Sequence, residues 1–189
     1  MNFNMKISKG ISTPHLRKSV NIAIEKLAPL FGLSQEELAL ARHFTIRRTL
    51  RHLAKMYQDH GETVPAYSCL DMFFFFPVRN YYSELGSLDS DDLVCHEAGH
   101  HLHRIINPSL VRQLEPLIKI KEAPHEFSEL KELVAEYPVM ILGLVDYDKP
   151  PYSYYWTNLK RVYAKYGAEF LPDLARMSLD DAIRQGLVQ

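Results

Sequence analysis

The sequence has few of the features that stabilise small secreted domains or membrane proteins. It contains two cysteines, Cys69 and Cys95, among 189 residues, too few for a disulfide framework, and their spacing fits neither a zinc ribbon nor a redox pair. Its longest apolar runs, residues 72–78 and 138–145, are far shorter than the roughly 20 residues of a membrane-spanning helix. The charged start of the chain is not followed by the apolar segment of a secretory signal. We therefore expect a soluble, cytoplasmic protein.

The sequence also lacks a strong net charge, which is −1 at pH 7 and excludes a polycation built to bind nucleic acid. The charge is unevenly distributed, because residues 1–55 contain ten of the 22 basic residues and only three of the 23 acidic ones. Within them, the basic stretch 41–55 could contact nucleic acid or an acidic partner. Its interleaved apolar residues favour a solvated helix face instead.

Length and composition indicate a single globular domain. Hydrophobic residues make up 47% of the chain and charged residues 24%, which is enough apolar surface to form a core. We divide the chain into an N-terminal helical region (1–62), a core region that carries the candidate site (63–148) and an aromatic C-terminal helical extension (149–189). Together they are expected to form one compact domain.

Capping residues mark the first two predicted helices. Thr13 and the proline after it are typical of a helix start, and Gly32 is placed to end that helix. Ser34 and Glu37 form the S-x-x-E capping box of a second helix. The apolar stripe that follows predicts that the second helix continues to about Tyr57.

The rest of the chain reads as one strand and several more helices. The aromatic-rich segment 64–78 is the best strand candidate. Ser90 caps a helix that extends to about Ile106, and Pro138 should stop or kink a later one. Helices are also predicted over residues 108–119 and 125–137, and from Ser178 onward. The sequence thus predicts an α+β fold that is predominantly helical, with a small sheet.

The most informative motif is H-E-x-x-H at residues 96–100. Residues four apart share a helix face, so His96 and His100 can both reach one Zn²⁺ at about 2.0–2.1 Å. Glu97 lies outside the helix face that carries the two histidines, but it can reach a water molecule at the open position of the metal, which suits a general base. Gly99 costs about 1 kcal/mol in mid-helix, and a closely packed neighbour would explain it.

A catalytic zinc needs a third protein ligand, and the residues leave three sources open. The first is a glutamate of the predicted helix 125–137, where Glu129, Glu132 and Glu136 are available. The second is His103, although three histidines spread over two turns of one straight helix cannot converge on one ion. The third is Cys69, as in peptide deformylases, but their glycine-rich N-terminal motif is absent. Cys95, in contrast, points off the ligand face and is best explained as a small buried residue.

The chain resembles small gluzincin-type zinc metallopeptidases of the zincin fold, and is similar to minigluzincins and repressor-cleaving metallopeptidases. The resemblance covers about residues 70–140 and depends on H-E-x-x-H and the E-x-x-A-E of residues 132–136. It implies that Glu132 is the third ligand and that Ala135 lets its helix approach Gly99. Glu136 would then orient a ligating histidine from behind. From its spacing alone, His103 is expected either to support a ligand in this way or to lie at the surface. The resemblance also implies a small sheet above the active-site helix, with 64–78 as the edge strand that an extended peptide could join.

The resulting hypothesis is zinc-dependent hydrolysis of a peptide or protein substrate, with Glu97 as general base. A tyrosine could stabilise the oxyanion, and the candidates are Tyr147, Tyr152, Tyr154, Tyr155 and Tyr163. Two alternatives remain open. One is a non-catalytic or regulatory zinc protein that contacts nucleic acid or a protein partner through its basic N-terminal helices. The other is a latent peptidase whose aromatic segment 150–166 covers the cleft.

Overall fold

The computed structural model describes residues 13–47, 66–69, 72–75, 91–111, 114, 123–148 and 156–188, which are predominantly helical. The helices are α1 (Thr13–Leu27), α2 (Gln35–Ala41), α3 (Asp91–Ile106), α4 (His125–Ile141), α5 (Thr157–Tyr166), α6 (Leu171–Arg176) and α7 (Leu179–Arg184). The strands are β1 (Thr45–Arg47), β2 (Ala66–Cys69) and β3 (Met72–Phe75). A 3₁₀ turn, Ala168–Phe170, precedes α6.

Local sequence signals place the starts of several helices correctly. Ser34 accepts a hydrogen bond from the Glu37 amide and Glu37 accepts one from the Ser34 amide, which confirms the capping box of α2. Gly32 has a φ of +60° in the turn after α1, a conformation that favours glycine. At the other end of the chain, Ser178 caps α7 by accepting from the Asp181 amide.

The predicted extent of the second helix is wrong. Helix α2 ends at Ala41, and Thr45–Arg47 forms strand β1 instead of a further helical turn. Phe44 of the apolar stripe packs against a strand, since its ring meets that of Phe73 edge to face with centroids 5.2 Å apart. Tertiary pairing of β-branched Thr45 and Ile46 therefore overrides the helical period. Residues 48–57 of that prediction lie outside the described residues.

A three-stranded sheet has the order β1-β3-β2. Strand β1 runs parallel to β3, with Ile46 opposite Phe73, and β2 runs antiparallel to β3, with Ser68 opposite Phe73. The strand predicted over 64–78 is thus two strands in its described part. Phe73 is fully buried at the centre of the sheet, and β2 lies against α3.

Helices α3 and α4 carry the candidate site. The predicted end of α3 at Ile106 is confirmed, and its first turn holds Asp91, which pairs with Lys26 of α1 at 2.8 Å. Pro138 was expected to stop or kink helix α4, and the first of these expectations is wrong, because α4 continues to Ile141. The Leu142 amide donates to the Pro138 carbonyl, so helical hydrogen bonding resumes after the proline. Residues 108–111 are also helical.

The described parts of the three predicted regions share one apolar cluster. Leu16 of α1, Phe73 of β3, Leu102 of α3 and Leu174 of α6 are all buried in it. Helix α1 packs on α3, while α5, α6 and α7 pack on α4. The boundaries of the regions stay a prediction. Within the described part of the chain, no helix combines the length and the apolar character needed to cross a bilayer.

Candidate metal centre

A very close contact between α3 and α4 sets the position of the candidate ligands. A Cβ atom added at Gly99 would lie 2.8 Å from the carbonyl oxygen and 2.9 Å from the Cα atom of Ala135. Real Cβ atoms do not approach backbone atoms so closely, so only glycine fits at this crossing. The small side chain of Ala135 belongs to the same close packing. The backbone of α4 thus lies directly against the turn of α3 that carries the two motif histidines.

Three side chains converge at this crossing. The Nε2 atoms of His96 and His100 are 3.1 Å apart, and Glu132 Oε2 lies 3.3 Å from the first and 3.4 Å from the second. Ligands at about 2.0–2.1 Å from a tetrahedral metal are separated by about 3.3 Å, so the triangle has the edges that such an ion requires. These three residues form a cluster that could hold a metal ion.

A hydrogen-bond chain supports His96 from behind. His96 Nδ1 lies 2.6 Å from Glu136 Oε2, and the hydroxyl of Tyr147 donates to the other oxygen of the same carboxylate. A carboxylate can only accept, so Nδ1 carries a proton, and when the ring is neutral its Nε2 presents a lone pair to the cluster. Glu136 is 5% exposed, so this support is inside the protein.

The two histidines of the cluster have opposite pKa shifts. Burial lowers the pKa of His100 to about 3, which keeps its ring neutral and able to bind a metal. Burial alone would raise the pKa of Glu132, but His100 and His96 hold it well below its usual range. For His96, burial alone would lower the pKa, and hydrogen bonds to Glu132 and Glu136 outweigh that effect and raise it. Without a metal, a proton on His96 therefore balances the carboxylates.

Three glutamates of α4 have three different surroundings. Glu132 faces the histidines, whereas Glu136, one turn later, supports His96. Glu129, one turn earlier, accepts a hydrogen bond from Asn158 at 2.6 Å. The structure thus brings Glu132 to the cluster, and it places the two alternative ligands, Glu129 and Glu136, beside it.

The remaining predicted site residues lie in the core around the cluster. Glu97, the predicted general base, is 6% exposed on α3 next to His96. His103 is buried one turn after His100, and within the described part of the chain its two ring nitrogens have no hydrogen-bond partner. Burial raises the pKa of the Cys95 thiol to about 11, as expected of a cysteine in the core. The Cys69 side chain lies outside the described part of the structure.

The structure assigns contacts to two of the candidate tyrosines. The Tyr147 hydroxyl is bonded to Glu136 and so supports the cluster, while the Tyr163 ring packs on Tyr137 with centroids 5.5 Å apart. Tyr152, Tyr154 and Tyr155 lie outside the described residues. Sequence spacing alone could not single out Tyr147, because its bond to Glu136 joins α4 to the loop that follows this helix.

Two further features bear on the alternatives. In the basic stretch, Arg42 is paired with Glu25 at 2.6 Å, and residues 48–55 lie outside the described part of the chain. In the aromatic segment, the ring of Trp156 meets His96 with centroids 6.5 Å apart, so an aromatic residue does border the cluster. Residues 149–155 also lie outside the described part.

Comparisons with models of known families, with curated protein sequences and with solved structures returned no match. The assignment of a function therefore depends on the geometry of the site.

Proposed function

We propose that this chain is a zinc-dependent peptidase of the gluzincin type, with a zincin-like core formed by the small sheet, α3 and α4. The observation that carries the proposal is the triangle of His96 Nε2, His100 Nε2 and Glu132 Oε2, with edges of 3.1, 3.3 and 3.4 Å. These edges match the spacing of tetrahedral ligands. Three ligands leave one position of a tetrahedral ion open, as in catalytic sites.

The donor set suits zinc better than Ca²⁺ or Mg²⁺. Two imidazoles and one carboxylate suit a borderline-soft ion, whereas Ca²⁺ and Mg²⁺ prefer oxygen ligands only. Glu136 would fix the tautomer of His96, since a carboxylate behind a ligating histidine raises the basicity of the ring. When bound, zinc supplies a Lewis acid that makes water acidic enough to lose a proton near neutral pH.

The chain's own residues supply the proton transfers and the substrate surface. Glu97 would accept the proton of the attacking water and later deliver it to the leaving amine. Its burial beside His96 keeps it close to the reacting groups. Among the described strands β2 lies at an edge of the sheet and against α3. An extended peptide could pair with such an edge and pass in front of the motif.

Metal analysis of matched variants tests the ligand set. We expect about one zinc per chain in the parent protein, and loss of zinc in Glu132→Ala because a ligand atom of the triangle is removed. Glu129→Ala removes the same group one turn earlier and should retain the metal. Equal retention in both variants would contradict the assignment.

The general base is tested in the same series. Glu97→Gln keeps the shape of the side chain but removes the carboxylate, so the variant should retain zinc and lose at least about 100-fold in peptide hydrolysis. The measurement is cleavage of a fluorogenic peptide library with and without a chelator. Parent-level cleavage by Glu97→Gln would rule out this role for Glu97.

A further inference from the structure

A cavity of about 280 Å³ lies directly beside the candidate metal centre. Its walls include Glu132 on the side of the metal cluster, Glu129 one helical turn away, and Trp156 and Asn158 from the start of α5. Cavities for drug-sized ligands begin at about 300 Å³, so this one is suited to a single amino-acid side chain. Its position next to Glu132 places such a side chain near a bond held at the metal.

The walls of the cavity combine apolar and acidic chemistry. Leu133 and Leu159 provide aliphatic surface, and Trp156 adds an indole ring. An aromatic ring attracts a cation placed over its face, and aliphatic walls pack against a methylene chain. The carboxylate of Glu129 supplies the negative charge. Together these groups match a long side chain that ends in a positive charge.

Hydrogen bonds fix the orientation of the Glu129 carboxylate. Asn158 Nδ2 donates to Glu129 Oε1 at 2.6 Å and to the Leu187 carbonyl at 2.7 Å, while its Oδ1 accepts from Arg161 at 2.6 Å. Asn158 is thus held from both ends of its amide. A carboxylate has about four acceptor positions, so it can accept from a charged ligand group in addition to protein groups such as Asn158.

The described residues that line the cavity include no lysine or arginine. Lys131 lies 3.7 Å from Glu132 Oε1 and Arg161 contacts Asn158, but neither is a lining residue. The lining does include His125, which is exposed to solvent at the start of α4, and the neutral polar side chains of Ser128 and Asn158. The charged groups in the lining are thus the carboxylates of Glu129 and Glu132.

We propose that this cavity binds an arginine or lysine side chain of the substrate, next to the bond that is cleaved, and that Glu129 selects for its charge. The inference rests on the proposed function, because it places the cavity beside a catalytic metal. It gives Glu129 a role distinct from that of Glu132, although the two are one turn apart on α4.

Fluorescence offers a direct test, because Trp156 is the only tryptophan of the chain. N-acetyl-arginine amide and N-acetyl-citrulline amide have almost the same shape, but only the first is charged. Titration of the zinc-loaded protein with either compound should change the Trp156 emission. The arginine compound should reach its half-maximal effect at an about tenfold lower concentration, because hydrogen bonds between charged groups are stronger than neutral ones. Equal affinities, or no response to the arginine compound, would overturn the proposal.

Two isosteric variants test which carboxylate recognises the positive charge of the ligand. Glu129→Gln should bring the two affinities within about twofold of each other, because the amide cannot form the ion pair. Glu126→Gln removes a carboxylate one turn earlier on the same helix, outside the lining residues, and should preserve the preference. A preference that survives in Glu129→Gln would contradict the role of Glu129. The comparison of the two ligands on the parent protein needs no variant.

Peptide cleavage separates this inference from the proposed function. Peptides that differ only in arginine or citrulline beside the scissile bond should be cleaved with about tenfold different kcat/KM. Equal cleavage of both would reject the cavity's preference and leave hydrolysis standing. If no peptide is cleaved while Trp156 still distinguishes the two amides, the hydrolase assignment fails and the binding site remains.

Discussion

Helix α3 contains four histidines in two different surroundings. His96 and His100 meet a carboxylate of α4 and form the metal cluster. His101 and His103 are buried in the core, where they are 3% and 1% exposed. His101 approaches the Ala41 carbonyl at 3.0 Å and the ring of Phe73 at 5.1 Å, so it connects α3 with α2 and the sheet.

The comparison teaches that the facing helix, more than the spacing on α3, selects the ligands. His103 lies on the same side of α3 as His100, but the charged groups around it are Arg104 and Lys131. Glu132 faces the other pair, at 3.4 Å from His100. Three experiments test this difference between the two pairs of histidines.

The largest effect is expected for Gly99→Ala, which should remove the contact that aligns the two helices. The new Cβ would lie 2.8 Å from a backbone oxygen of α4, so the helices must separate and the three ligand atoms with them. We expect the free energy of unfolding to fall by about 3 kcal/mol and metal affinity to fall at least about 100-fold, as measured by thermal unfolding and chelator competition.

A second substitution sharpens this prediction. Because the atoms in contact with Gly99 belong to the backbone of Ala135, Ala135→Gly should not rescue Gly99→Ala. Full rescue would show that side-chain crowding, and not the backbone approach, is responsible.

The next effect concerns His103 and pH. Burial lowers its pKa to about 3 in the folded state, below the value of about 6.5 in the unfolded chain. Between these values the unfolded state binds more protons, so the contribution of His103 makes stability fall as the pH drops from 6.5 towards 3. His103→Leu should flatten this dependence by up to about 2 kcal/mol between pH 7 and pH 5, in urea unfolding of the metal-free protein.

The control for the His103 variant is its metal content. His103→Leu should also retain the metal, because the cluster consists of other residues. Loss of zinc in His103→Leu would place this residue in the metal site.

The smallest effect is expected for Tyr147→Phe. The substitution removes the hydroxyl that donates to Glu136 and so loosens the group that orients His96. Loss of such outer support typically lowers metal affinity by 10–100-fold, and with Glu136 itself still present we expect about tenfold. Competition with a chelator gives the affinity, and the absorption spectrum of the Co²⁺-loaded protein reports the ligand geometry.

A neighbouring tyrosine provides the matched control. Tyr137 donates its hydroxyl to the Gly167 carbonyl at 2.8 Å, on a side of α4 that faces the C-terminal helices. Tyr137→Phe should reduce stability by about 1 kcal/mol without changing metal affinity. If both variants lose metal equally, the effect of Tyr147 is general destabilisation.

Local sequence signals predicted most of what depends on neighbouring residues. The capping box of α2 and the extent of α3 follow from groups within a few positions of each other, as with Ser34 and Glu37. The cost of a mid-helix Gly99 predicted a close neighbour, and the approach of Ala135 confirms it. The secondary-structure prediction failed where a residue distant in sequence determines the conformation. Thr45–Arg47 forms a strand, for example, because it pairs with β3.

The site shows the same limit. Its two histidines and Glu97 can be read from five consecutive residues, but three glutamates of α4 were equivalent by spacing. Only the crossing angle and the rotation of α4 against α3 separate a group that faces the metal cluster from one that faces Asn158. The sequence could not predict the bond of Tyr147 to Glu136 or the contact of Trp156 with His96, because packing between separate segments creates both.

The hydrogen bond between Asn158 and the Leu187 carbonyl has a consequence for shortened forms of this protein. Leu187 and Val188 are 0% and 2% exposed, and the amide that holds Leu187 also holds Glu129. Deleting residues 186–189 would therefore affect the cavity as well as the C-terminus. The deletion removes a hydrogen-bond partner of Asn158, so the Glu129 carboxylate that Asn158 holds could rotate. Such a truncated protein should still take up zinc, but its preference for positively charged side chains should be weaker.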